Sequence, residues 1–154
     1  MMRRREMLAL SLALSLASIL AAIAGPVAAA TALTLHKDPT CGCCVGHADY
    51  LRAEGFAVTV IETTDLESLK RQHGVPPALA GCHTILAEGY VIEGHVPAGP
   101  IRRLLAERPD IVGISLAGMP PGSPGMGGEK TEPFVIHQIE RSPGTETPAI
   151  FAVE

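Results

Sequence analysis

The chain has no tryptophan and only two tyrosines and three phenylalanines among its 154 residues. A core built from it must be mostly aliphatic. Beyond residue 30 it has no apolar run approaching the roughly 20 residues that span a bilayer. Beyond residue 30 it also lacks any basic stretch of the kind that marks a nucleic-acid or anionic-lipid surface. The glycines are not a phosphate cradle, because no lysine-serine or lysine-threonine pair and no helix follows them. Ser115 and Ser123 have no convincing base or orienting carboxylate, so no hydrolase constellation emerges.

What is present begins with an export signal in its usual order. Met1 to Glu6 is arginine-rich, Met7 to Ala24 is apolar with scattered serines, Gly25-Pro26 breaks the run, and Ala28 to Ala30 are small. Residues 1–30 are expected to be a signal peptide cleaved near Ala30, the alternative being an uncleaved anchor. Arg4-Arg5-Glu6-Met7-Leu8 also resembles a twin-arginine signal. Residues 31–154 then suit one domain, periplasmic and without a membrane segment. Losing three arginines and one glutamate takes the net charge from −4 to −6.

The patterning predicts strands at Leu33–Lys37, Phe56–Ile61, Cys82–Leu86 and Tyr90–Glu93, the last two joined by a Glu88-Gly89 turn. A helix is expected from Cys43 to Glu54, with Val45, Ala48 and Leu51 inward and Asp38 or Thr40 as cap. The apolar run of the second strand suggests burial on both faces. Thr64 and Glu67 fit a capping box opening a polar helix to about Gln72. Pro100 suits the first turn of a helix through Arg108. A long Gly/Pro loop occupies residues 118–128, of the kind that is usually functional or mobile. Phe134–Arg141 and Thr147–Val153 form a final hairpin across residues 142–145. The first seven elements match a thioredoxin-like α/β layout, a mixed sheet with flanking helices, to which the C-terminal β-hairpin is an addition.

Chemistry concentrates in Cys41-Gly42-Cys43-Cys44, at a strand-to-helix turn. Free N–H groups and the positive end of the helix favour thiolate there. Two structural disulfides fit poorly: Cys43 and Cys44 are adjacent, and a Cys41–Cys44 loop constrains little of the unfolded chain. Two functional readings stand. Cys41 and Cys44 can act as a C-x-x-C redox pair, or Cys41, Cys43, Cys44 and Cys82 can converge on a soft metal. The third neighbouring cysteine favours the metal, Cu(I) before zinc.

With Gly81-Cys82-His83-Thr84, Gly94-His95-Val96-Pro97 and Gly118-Met119-Pro-Pro-Gly-Ser-Pro-Gly-Met126, the cysteine turn resembles the domain of unknown function 411 family, which includes periplasmic CopG copper-resistance proteins. The resemblance runs over nearly all of residues 31–154. It implies a thioredoxin-like fold, a copper site on Cys41, Cys43, Cys44 and Cys82, a part in copper tolerance, and exchange with other periplasmic copper-handling proteins. In such folds the segment before strand three lies beside the start of the first helix, which would bring Cys82 to the turn. The family leads us to expect an aromatic residue, usually tryptophan, where this chain has His47.

His47 shares a helical face with Cys43 and Cys44 and is a possible further ligand, although a half-exposed helix histidine is the simpler expectation. Alternation along a strand would turn His83 away from Cys82, so a supporting or core role is expected of it before direct ligation. A hydrogen bond holding its turn is expected of His95. Met119 and Met126 are thioethers suited to Cu(I), carried on a loop able to cover the site, unless Met119 packs on the core.

Overall fold

The computed structural model describes residues 29–142 and 147–154. The expected signal peptide therefore lies outside the described residues, apart from Ala29 and Ala30, as does most of the turn at 142–145. No helix among the described residues is long and apolar enough to cross a membrane.

The elements are β1 (Ala32–Lys37), α1 (Gly42–Ala53), β2 (Ala57–Glu62), α2 (Leu66–Gln72), a 3-10 turn (Pro77–Leu79), β3 (His83–Ala87), β4 (Tyr90–Gly94), α3 (Ala98–Glu107), β5 (Gly113–Leu116), β6 (Val135–Ile139) and β7 (Ile150–Val153). They form one mixed sheet in the order β2-β1-β3-β4-β5-β6-β7. β1 runs parallel to β2 and β4 parallel to β5, each pair joined through a helix, while the remaining neighbours are antiparallel. A mixed α/β sheet with helices and a C-terminal hairpin is what the patterning predicts.

Several details differ. β5 was not expected: it is four residues long and begins on glycine, too short and interrupted to stand out from the Gly/Pro loop after it. It makes the hairpin an extension of the main sheet. β2 is an edge strand, mostly solvent-facing, with Ile61 41% exposed, so its apolar run does not mark burial on both faces. α1 is capped by neither Asp38 nor Thr40. The Asp38 carboxylate instead accepts from the Thr40 N–H and hydroxyl, shaping the turn before Cys41, which takes the cap position without a side-chain bond. Asp65, not Thr64, caps α2, accepting the Ser68 N–H at 3.1 Å.

The inward stripe of α1 is Cys44, His47, Ala48 and Leu51, while Val45 faces solvent. These residues pack with Leu33, Leu35, Ile85, Ile92, Ile101, Leu104, Ile114 and Ile136, all buried. Each such aliphatic side chain contributes roughly 1.5–3 kcal/mol on leaving water. The aliphatic core thus clamps the first turn of α1 onto the ends of β1 and β3, where the cysteines lie.

Candidate metal centre

Cys41 caps α1, and Cys43 and Cys44 lie in its first turn. Cys82 arrives from the opposite side, one residue before β3. Two features hold it there. Gly81 lies so close to Gly94 that a Cβ on Gly81 would stand 2.7 Å from the Gly94 Cα, which brings the starts of Cys82 and His95 together. A buried ion pair, Lys70–Glu93, also clasps Gly81 by both backbone groups: Lys70 Nζ donates to its carbonyl at 2.6 Å, and its N–H donates to Glu93 Oε1 at 2.7 Å. Thr84 completes the carboxylate by donating to Oε2 at 2.7 Å. Burial raises the Glu93 carboxyl above its ordinary range, opposed by these donors.

The four sulfurs meet. Cys41 and Cys44 are joined as a disulfide, while Cys43 and Cys82 are free. Cys43 Sγ lies 3.6 Å from Cys41 Sγ and 3.9 Å from Cys82 Sγ, and Cys44 Sγ lies 3.6 Å from Cys82 Sγ. All four fall within 4.8 Å of one another. Two structural bridges are thus not what the chain forms; the bridged pair is the C-x-x-C pair of the redox reading. Cys82 does not share the helix-start environment. Burial, and then Cys43 beside it, push its thiol up to about 12.

The histidines depart most from expectation. His47 is fully buried, not half-exposed. Its Nε2 lies 3.0 Å from the Val96 carbonyl and its Nδ1 2.8 Å from His83 Nε2. His83 Nδ1 is 3.3 Å from Cys82 Sγ, because Cys82 precedes the strand and alternation does not govern it. His95 Nε2 approaches the same sulfur at 3.1 Å, and its Nδ1 reaches the Pro124 carbonyl at 2.7 Å. Burial lowers the pKa of all three: His47 to about 3, with His95 adding to the effect; His83 well below its ordinary value; and His95 despite its bond to Pro124. Each ring is neutral near pH 7. The adjacent Cys-His and Gly-His pairs were the sequence signal for this cluster.

The Gly/Pro loop lies across α1 just beyond the cysteines. Gly125, at φ +79°, packs on Gly46, where a Cβ would stand 2.7 Å from the Gly125 carbonyl oxygen. Ser123 is buried and donates to Pro120 at 2.7 Å. Met119 is 44% exposed and does not pack on the core, whereas Met126 is half-buried on the strap. A cleft of about 320 Å³ opens beside Cys82, with Asp38, Asp65 and Glu67 on its walls.

Residues 79–126 match the family described as protein of unknown function, DUF411. Two solved structures, copper resistance protein copG in its forms 1 and 2, are each 37% identical to this chain, with a TM-score of 0.73 over 81% of this chain and 98% of theirs. The chain belongs to the DUF411 family. No curated protein matches it. The matched DUF411 segment carries Cys82, His83, His95 and the strap through Met126, so the Cys41–Cys44 turn lies outside it.

The donor set suits a soft ion. Crowded thiolates select Cu(I) or zinc over hard cations. Sulfur atoms around one tetrahedral ion at about 2.3 Å would stand about 3.8 Å apart, close to the 3.6–3.9 Å between the sulfurs that are not bridged, so reduction of the Cys41–Cys44 bridge is what would let all four serve one ion. The bridged pair adds a two-electron couple at the same place.

Proposed function

We propose that this protein binds copper as Cu(I) through Cys41, Cys43, Cys44 and Cys82 and serves copper tolerance or handling in the periplasm. The observation that carries the reading is the meeting of four sulfurs from two separate chain segments within 4.8 Å. The names of the two solved relatives, copper resistance proteins, support it. On this reading residues 1–30 are the export signal and residues 31–154 the working domain, with β1 to β4 and their helices a thioredoxin-like unit. The acidic cleft beside Cys82 offers a cation a path to the sulfurs, and other periplasmic copper-handling proteins are the donors or acceptors. His47, Met119 and Met126 are not needed as ligands. Zinc is the competing ion, separable by metal content after purification from the periplasm.

The Cys41–Cys44 disulfide supports a link between copper and thiol redox. Closing that bridge from two thiolates releases two electrons, which reduce two Cu(II) to two Cu(I). The test is anaerobic titration of the reduced protein with Cu(I) against a competing chelator. We expect a Cys41→Ser, Cys44→Ser double variant to lose most of its affinity; undiminished binding would discard the reading. The same disulfide favours a second reading, a thiol–disulfide oxidoreductase using Cys41 and Cys44. It requires turnover of a disulfide substrate such as insulin without metal, and no turnover rules it out.

A further inference from the structure

An open sheet edge presents unpaired backbone groups, a template on which another chain can add a strand. Among the described residues β2 pairs with β1 alone and β7 with β6 alone, so each carries such an edge. The backbone bonds show which groups face outward. Ala57 and Thr63 donate to Thr31 and Lys37, so by alternation the Val58 carbonyl points away from β1. Phe134 and Glu154 exchange both of their bonds, so Val153 turns its own N–H and carbonyl away from β6. Phe151 is the extra residue of a bulge: Ile136 pairs with Ala152 and His137 with Ile150, which leaves it no counterpart on β6.

An arginine from a neighbouring helix meets each edge. Arg52, in the last turn of α1, donates to the Val58 carbonyl at 2.9 Å and to Asp49, one turn earlier, at 2.8 Å. Arg103 on α3 donates to the Phe151 carbonyl at 3.0 Å and to Glu107, one turn later, at 3.0 Å, with its guanidinium 4.7 Å from the centre of the Phe151 ring. The construction is the same twice: a helix arginine, aimed by a carboxylate of its own helix, fills a strand carbonyl. Both ion pairs are exposed, and pairs of that kind contribute little to stability, so holding the fold together does not account for the repetition. The two edges differ in what lies behind the guard. β2 ends on a glutamate, whereas residues 148–153 carry no charge. On β7 Ile150 is 57% exposed and Val153 59%, with Val135 of β6 paired to Val153 and 36% exposed.

We propose that Arg52 and Arg103 are edge guards, and that the surface Arg103 holds closed, β7 with Ile150, Val153 and Val135, is one to which a second copy of this chain would otherwise add its own β7. A second copy is the fitting occupant because an antiparallel edge can be set against itself across a twofold axis, which buries the same apolar side chains from both sides. The inference does not rest on the copper reading: Arg52 lies at the far end of α1 from the cysteines, and Arg103 lies on another helix.

The test is the mass of the purified protein by sedimentation equilibrium over a range of concentrations. The unsubstituted protein is expected to stay monomeric. Arg103→Met keeps an apolar stem on Phe151 and removes the donor, so its mass should climb toward a doubling as concentration rises. Arg52→Met should associate less, because the edge it opens ends on a charge. Arg103→Lys retains a donor and should stay closer to the monomer. Adding Val153→Lys to Arg103→Met places a charge on the opened edge and should restore the monomer. A dimeric unsubstituted protein, or a monomeric Arg103→Met variant, overturns the proposal. So does association that Val153→Lys leaves in place, which is also what aggregation of a misfolded variant would show. Cu(I) titration of the same samples is read separately: loss of binding by the unsubstituted reduced protein would sink the four-cysteine reading and leave the guards standing.

Discussion

The two halves of the cysteine cluster are built in opposite ways. The Cys41–Cys44 half is local: three sulfurs within four residues, at the start of one helix, brought together by the turn itself. The Cys82 half is tertiary. Its sulfur is placed by Lys70 on α2, Glu93 on β4, the Gly81–Gly94 approach and two histidines from separate strand ends. A local motif survives much damage elsewhere in the fold, whereas a placed residue depends on every element that holds it. The centre should therefore fail first from the Cys82 side.

The sharpest way to break this comparison is Glu93→Gln. It leaves Lys70, 2% exposed, as an unpaired buried charge and weakens the hold on Gly81. Removing one partner of a buried pair costs about 3–5 kcal/mol. We expect a loss of that size in urea denaturation, with Cu(I) affinity falling while the Cys41–Cys44 disulfide still forms. Unchanged stability with unchanged copper binding would show that Cys82 needs no clasp.

The same contrast explains what could be read from the residues alone. The Cys-Gly-Cys-Cys turn was legible because its chemistry and its geometry share one short segment. The alternation of β1, β3 and β4 and the final hairpin were legible for the same local reason. His83 is buried in the core as expected, but its ring faces Cys82 because Cys82 stands just outside the strand, where period two has not begun. His47 and Lys70 look like surface residues of polar helices; only the sheet beneath them makes them buried. β2 has the composition of a central strand, yet among the described residues it pairs with β1 alone and lies at the edge. Burial of a charged or polar side chain is decided by its partners, and sequence periodicity does not contain them.

A smaller effect probes the strap. Gly46→Ala places a methyl 2.7 Å from the Gly125 carbonyl oxygen, so the loop must lift. Overpacking of this kind costs about 1–3 kcal/mol. Because Pro124 holds His95, the displacement should reach the Cys82 half and spare the helix turn. Thermal denaturation gives the cost, and the His95 Nδ1 proton signal reports the lost bond. A destabilised variant that keeps that signal would separate the strap from the histidines.

The mildest test leaves the chain intact and varies pH. Burial holds the Cys82 thiol up to about 12, so near neutrality it is protonated, and an incoming ion must displace that proton. The sign follows: raising pH lowers the cost of displacement, so Cu(I) affinity should climb about tenfold per unit for this proton between pH 6 and 8. Cys82→Ser should reduce the slope of log affinity against pH by about one. Alkylation of Cys82 in the oxidised protein, followed by mass spectrometry, should likewise rise about tenfold per unit from pH 8 to 10, since thiolate is the reacting form. Cys82 labelling that levels off by pH 9 would mean that water reaches the sulfur freely. The tertiary half of the centre would then be as open as the local one.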